Sequence, residues 1–417
     1  MFYLGIDFGT SGARACVIDP AGLTVAEHRL AHPVVTDAAL PDSWFTTLQQ
    51  LILGIPAAVR LKIAALAIDG TSTTVVLCNK QMEPVSAPLW YHDSRARLEA
   101  LELEQLAGKH IAASATSSLA KLLWLSKQNS STAAHVLLHQ SDWLSAKLCG
   151  VAVSDYHNAL KLGYDPQAAD YPEWIKALPQ ARLLPRVVEP GSRIAPVQAE
   201  LNAQLGLAHG CLVHAGTTDS LAALMATGPV EEGLGVTSLG STLVLKQISP
   251  VRIEDADHGI YSHKYGSYWL VGGASNSGGA VLAHYFSAAE LQKLSAQIDP
   301  DLPGPLDYYP LLKPGERFPV SDPAYEPRMT PVPSDPAAFL QALLEGIARI
   351  EAAGYALFER LGAPKLKYVV STGGGSYNPV FSRIRQRLLG VPVTQAKHTE
   401  AAYGAALLAA GKIWGQS

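Results

Sequence analysis

The chain has 417 residues, 48% of them hydrophobic and 16% charged, which is too long for one compact core and too apolar for disorder, so two domains of ordinary size are expected. A net charge of −4 excludes a broad nucleic-acid surface, which needs positive charge to displace phosphate counterions, while leaving room for a nucleotide held locally. No uncharged apolar stretch is long enough to span a bilayer, so no membrane partner is expected. Cys16, Cys78, Cys149 and Cys211 are too scattered for a disulfide framework or a thiolate zinc site, and reduced thiols in a cytoplasmic protein are the expectation.

Residues 2–7 read as a buried strand that ends on Asp7. It lacks a basic start and is broken by an acid, so it is not read as a secretion signal. The turn "FGTSG" leads into a second strand, "ARACVID", and "DPAG" into a third, "LTVAEHRL", which together make an antiparallel meander. A helix is expected from about Trp44 to Val59. "KIAALAIDG" (62–70) is another apolar strand ending on an acid and a glycine, followed by "TTVVLCN" (73–79). The second half repeats the theme: "GLGVTSLGST" (233–242) runs into a glycine–hydroxyl turn and "STLVLKQI" leaves it. The proline-rich stretch 302–333 reads as irregular. Residues 335–362 have helical periodicity, with Asp335 as cap and Gly362 as stop. "LKYVVSTGGGS" is a strand into a triple glycine, "NPVFSRIRQRLLG" a helix with Pro379 in its first turn, and 399–414 a final helix. Strand–tight turn–strand units followed by helices in both halves predict two related α/β domains with mixed sheets. The switch falls near "TGPVEEG" (227–233), and a ligand is expected in a cleft between the domains.

Glycines in the turn 9–12 would let backbone N–H groups converge on a phosphate, with Thr10 and Ser11 adding hydroxyl donors. Asp7 suits Mg²⁺, which prefers carboxylate, water and phosphate oxygens. The alternative is a plain hairpin whose Asp caps its own turn. There is no G-x-x-x-x-G-K-[ST], which excludes a P-loop NTPase. "GGASNSGG" (272–279) and "TGGGS" (372–376) lack the G-x-G-x-x-G context. Asp219 in "AGTTDS" is a carboxylate placed to accept a hydroxyl proton, or else the cap of the helix that follows. "NSS" at 129–131 fits a glycosylation pattern that matters only on export.

Taken in order, "IDFGTSGAR", "AIDGTST", "SSLAKLLWL", "SDYHNALKLGYD", "AGTTDSLAALMATG", "SLGST" and "GGGSYNPVFSRI" resemble the FGGY carbohydrate kinases over residues 1 to about 412. Within that family "GTTDS", "VTSLGST" and "SDYHNALKLGY" look most like its short cyanobacterial and plant D-ribulokinase branch. The resemblance implies the actin/hexokinase/Hsp70-type ATPase fold, two ribonuclease-H-like domains. Residues 1–228 would carry the sugar site and first phosphate loop, and 229–417 the second phosphate loop and adenosine site.

It also implies roles for individual residues. Asp219 would be the catalytic base and Asp7 the carboxylate near the metal. Gly9, Thr10, Ser11 and Gly12 would form the first phosphate loop and Gly240, Ser241 and Thr242 the second. Arg14 would meet phosphate charge or stay a solvated surface charge. Gly374, Gly375 and Asn378 would contact adenosine, and Phe381 would pack on adenine or in ordinary core. Ser72, Asp93, Asp7 and Asp219 would face the sugar, since "GTSTT" (70–74) puts small hydroxyls where glycerol kinases of the family carry Arg-Glu and xylulokinases Met-His. His92 beside Asp93 reads as a surface histidine. Lys121 and Trp124 read as core packing of a signature helix. The expected partners are MgATP and a small ketose or polyol, D-ribulose first, and self-association stays open. The alternatives are D-xylulose or another pentulose or polyol, an actin/Hsp70-type nucleotide switch without a sugar, and a kinase that no longer turns over.

Overall fold

The computed structural model describes residues 1–128, 132–228 and 230–412. The glycosylation triplet 129–131 and Pro229 in the expected domain switch lie outside them. In chain order the strands are β1 (Phe2–Phe8), β2 (Gly12–Ile18), β3 (Thr24–Ala31), β4 (Ile63–Gly70), β5 (Val75–Cys78), β6 (Val136–His139), β7 (Ser154–Asp155), β8 (Val187–Val188), β9 (Arg193–Pro196), β10 (Leu212–Thr218), β11 (Leu234–Leu239), β12 (Leu243–Ser249), β13 (Tyr261–Tyr265), β14 (Tyr268–Ser275), β15 (Tyr368–Thr372) and β16 (Val393–Gln395). The helices are α1 (Leu40–Leu53), α2 (Ala57–Arg60), α3 (Arg97–Ala107), α4 (Ser118–Ser126), α5 (Gln140–Cys149), α6 (Glu173–Lys176), α7 (Ala199–Leu205), α8 (Asp219–Met225), α9 (Gly279–Tyr285), α10 (Ala288–Ser295), α11 (Pro336–Arg360), α12 (Pro379–Leu389) and α13 (Ala401–Ala409). They divide into two compact units, Met1–Pro229 with His398–Ser417, and Val230–Lys397.

The first unit is built on a sheet of order β3-β2-β1-β4-β10-β9. Its first three strands are the expected antiparallel meander, and β4 and β10 continue it parallel to β1. β5 does not join this sheet; it pairs with β6. That pair, with α3 and α4, encloses a smaller core around Leu77, Leu103, Leu119, Leu122 and Leu137. The predicted 44–59 helix is instead α1 ending at Leu53, followed by the short α2, because Pro56 disfavours the helical conformation just before it.

The final helix belongs to the first unit rather than to the second half of the chain, as its sequence position had suggested. A Cβ on Gly5 of β1 would lie 2.0 Å from the Ala402 carbonyl oxygen, and one on Gly404 would lie 1.8 Å from that of Ala222. The glycines and alanines of "AAYGAALLA" therefore let α13 sit directly on β1 and α8.

The second unit repeats the plan with a sheet of order β13-β14-β12-β11-β15-β16, antiparallel as far as β11 and parallel beyond it. Helix α11 covers it with a long apolar stripe. Asp335 caps it by accepting hydrogen bonds from the Ala337 and Ala338 N–H groups (3.1 and 3.3 Å), and Gly362, at φ 108°, follows its end. Stretch 302–333 has no helix or regular strand. Inside this core Arg385 of α12 makes a two-pronged bond to Glu351 of α11 (2.6 and 2.7 Å), both side chains fully buried. Ser371 of β15 accepts from Arg385 (2.7 Å), and Thr237 of β11 donates to Glu351 (2.6 Å). One ion pair thus ties two helices to two neighbouring strands. Arg385→Ala, which leaves the Glu351 charge buried and unpaired, is expected to cost about 3–5 kcal/mol, measured as the shift of the urea unfolding midpoint.

Candidate active site

Three parallel strands of the first unit end together. In the sheet register Asp7 of β1 stands opposite Asp69 of β4, Asp69 stands opposite Thr217 of β10, and Asp219 follows β10 directly. Asp7 is 6% exposed and Asp69 is fully buried. Among the described residues no hydrogen-bond donor reaches either oxygen of Asp69; its polar neighbour is the Asp7 carboxyl. Burial, with repulsion from Asp7 and Asp219, pushes Asp69 well above the usual carboxylate range. Burial also lifts Asp7 to about 6, partly offset by its contact with Asp69 and raised further by the Asp219 charge. Asp219 itself is partly open, and its carboxylate accepts the Ser220 N–H at 2.6 Å.

The turn after β1 is exposed at Thr10 and Ser11 and closes by the Gly9 N–H to Gly12 carbonyl bond (3.1 Å). His32, which the sequence reading passed over, donates from Nε2 to the Gly9 carbonyl (3.1 Å), its backbone N–H bonds the Ser11 carbonyl (3.1 Å), and its ring stacks on Phe8. Arg14 lies 3.0 Å from Glu400 and 3.8 Å from Asp7, so its charge is shared between carboxylates of this unit.

The loop after β4 carries four hydroxyls in a row. Thr71 and Thr74 bond one another (2.5 Å), Thr74 accepts the Tyr91 N–H (3.1 Å), and Thr73 donates to the Tyr91 carbonyl (3.3 Å). Ser72, half-buried, is the one whose hydroxyl has no partner among the described residues. Asp93, two residues beyond Tyr91, is held by Arg95 (2.7–2.9 Å). Lys121 and Trp124 depart from the expectation of plain core packing. Lys121 is buried but spends its ammonium on backbone carbonyls, and half-buried Trp124 lies under the Arg95 guanidinium, 5.1 Å away.

In the second unit a cavity of about 940 Å³ is lined by Gly240, Ser241, Gly374, Gly375, Asn378 and Phe381 from the predicted nucleotide motifs. Thr242 completes the same turn without lining it. The turn occupies the position between β11 and β12 that 9–11 occupies between β1 and β2. The "SNSGG" segment, a weak signal in sequence, locks onto it: Gly279 and Ala280 donate backbone bonds to Gly240 and Ser241 (2.9 and 3.0 Å), and a Cβ at Gly279 would lie 2.6 Å from the Gly240 carbonyl oxygen. Asn378 caps α12 by accepting the Phe381 N–H (3.1 Å), and its amide donates to Ser295 (2.8 Å), so its polar groups are already engaged. Phe381 is 2% exposed, at once core and cavity wall. Sequence reasoning missed the opposite wall, Ala280 and Ala283 of α9 and Leu291 and Ser295 of α10, because small helical residues carry no motif.

The description "FGGY family of carbohydrate kinases, N-terminal domain" matches residues 2–226, and its C-terminal counterpart matches 235–412. The chain belongs to the FGGY family of carbohydrate kinases. It is 24% identical to a xylulose kinase from Lactococcus lactis over 91% of this chain and 81% of that one. It is 26% identical to a ribulokinase from Shouchella clausii over 58% and 52% of the two chains. Among solved structures, a xylulose kinase from Bifidobacterium adolescentis superposes with TM-score 0.82 at 21% identity (100% of this chain, 93% of that one). A Plasmodium falciparum glycerol kinase with ADP gives 0.83 at 17% (99% and 89%). Both likenesses show the same fold, two α/β domains of mixed sheets flanked by helices.

Among the described residues no three side chains close a metal cage. Mg²⁺ needs none: it keeps most of its waters and takes one or two carboxylates with phosphate oxygens, a donor set that Asp7 and Asp219 fit. Ala283→Trp, at an exposed wall of the cavity, is expected to raise the KM for ATP about tenfold or more while leaving that for the sugar unchanged, measured by steady-state kinetics.

Proposed function

We propose that this carbohydrate kinase transfers the γ-phosphoryl of MgATP to a small ketose, D-ribulose first, giving the 5-phosphate. The observation that carries this reading is the partly open Asp219 at the end of β10, beside two acids buried at the ends of β1 and β4. The Asp219 carboxylate accepts the Ser220 N–H and is partly open, which suits it to take the hydroxyl proton of the acceptor, and such a base contributes about 10²–10⁴-fold. Ser72 offers the sugar a free hydroxyl, with Asp93 and Asp7 as further polar contacts. Adenosine takes the cavity lined by Gly374, Gly375 and Phe381. Gly9–Gly12 in the first unit, with Arg14 as a nearby positive charge, and Gly240–Thr242 in the second each offer backbone and hydroxyl donors suited to phosphate. Asp7 would hold Mg²⁺, which when bound would supply charge neutralisation. Most of the remaining catalysis is positioning, because a loose phosphoryl transition state asks for little covalent chemistry. The four buried, unpaired cysteines suit a reducing cytoplasm.

D-xylulose is the second reading, favoured by the xylulose kinase relative that matches nine tenths of the chain. The small hydroxyl loop 70–74 is what favours D-ribulose. ADP release from MgATP, measured with D-ribulose, L-ribulose, D-xylulose, ribitol, glycerol and no sugar, is expected to rise above control with D-ribulose. A rise with D-xylulose alone moves the assignment to the second reading. Equal rates in every tube, the control included, would favour a nucleotide switch or a substrate outside the panel. Asp219→Asn is expected to lower sugar phosphorylation by about 10²–10⁴-fold while nucleotide binding, read by calorimetry, stays intact; unchanged phosphorylation would remove Asp219 as the base. Asp7→Ala is expected to cripple ATP turnover in the same assay.

A further inference from the structure

Helix α4 carries a lysine with no place in the chemistry above. Lys121 is fully buried on a helix whose Leu119, Leu122 and Leu125 are core, and among the described residues no carboxylate bonds it. Its ammonium donates to the Thr73 carbonyl at 2.8 Å and to the Trp90 carbonyl at 2.7 Å, with longer contacts to the Thr73 hydroxyl and the Tyr91 carbonyl, both 3.4 Å. A buried charge satisfied by neutral oxygens, chiefly backbone carbonyls, is a costly arrangement, retained where it fixes a conformation. The conformation here is unusual. Thr73, a β-branched residue, sits at φ 65°, in the left-handed region that such residues rarely adopt. That kink presents Ser72 at the loop tip, while Trp90 and Tyr91 lead into Asp93. One turn along α4, Trp124 packs under Arg95, the residue that holds Asp93. Burial draws the Lys121 ammonium down to about 7, against the pull of Asp93 and with the push of Lys161.

We propose that Lys121 is a positioning residue for sugar recognition, its ammonium clamping the Thr73 and Trp90 carbonyls so that Ser72 and Asp93 are held at one fixed spacing. This rests on the reading that Ser72 and Asp93 face the acceptor sugar. Lys121 touches neither substrate. Its removal should loosen the fit to the preferred ketose and blur discrimination against its epimers, and leave the nucleotide side alone.

The test is Lys121→Met in the full chain, assayed by steady-state kinetics with the best sugar of the panel and with a poorer one, alongside thermal unfolding. The expected result is a KM for the preferred sugar raised about tenfold or more, a smaller ratio of kcat/KM between the two sugars, and a KM for ATP unchanged. Lys121→Arg keeps the charge, but its planar fork does not match two carbonyls set for a compact ammonium, so an intermediate KM is expected. If the methionine variant does not fold, the arginine variant carries the same measurement. A folded variant with unchanged sugar KM and unchanged discrimination overturns the inference. So does a parallel rise of the KM values for sugar and ATP, which is the mark of general loosening. A wild-type enzyme that phosphorylates no sugar on the panel overturns the proposed acceptor on which this inference rests, whereas an active wild type with an indifferent Lys121→Met overturns this inference alone.

Discussion

Two carboxyl groups forced side by side in a dry place are the constraint on which the first unit turns. Parallel pairing of β1 with β4 sets Asp7 against Asp69, and burial, with no donor on Asp69 among the described residues, makes two negative charges there untenable. The pair answers as such pairs do, with proton affinities raised well above the ordinary range. Such an arrangement stabilises nothing in the empty protein. In the proposed function it has a use when positive charge is brought to it, beside the glycine–hydroxyl turn that follows Asp7. The register of a sheet therefore does the work of an electrostatic design, because strands locked by backbone bonds cannot move apart to relieve the repulsion.

The second unit uses the same sheet plan for a different end. The turn between β11 and β12 matches the turn between β1 and β2, but no acid precedes it; Ser238 and Leu239 stand there instead. Its neighbours are glycine backbone and the small faces of α9 and α10, leaving a cavity large enough for a nucleoside. The buried Arg385–Glu351 pair holds the strands that lead into this wall, with every prong bonded, which is what keeps a buried charge pair from being a liability.

The polar residues of α4 have a common theme with these features. Lys121 in the first unit and Arg385 in the second are both buried cations held by neutral or paired oxygen acceptors, and both fix the conformation of backbone next to a candidate site.

Much of this was legible in the sequence. Alternating and continuous apolar runs placed the strands, Asp335, Gly362 and Pro379 marked helix ends, and the ordered motifs named the family. Those signals are local, and local chemistry determines them. Asp69 was half-visible: "IDFG" and "IDG" repeat the same strand ending, yet only parallel pairing in one register reveals that the two acids meet. Tertiary structure alone decided that Gly5 and Gly404 make room for α13 on β1, that His32 anchors the first turn, and that Asn378 is spent on Ser295. It also decided that Lys121, which reads as core from its leucine neighbours, reaches instead for two carbonyls on separate loops. Sequence fixes what each residue can donate, accept or bury; which partner lies within 3 Å depends on contacts between segments far apart in the chain, and no local pattern encodes them.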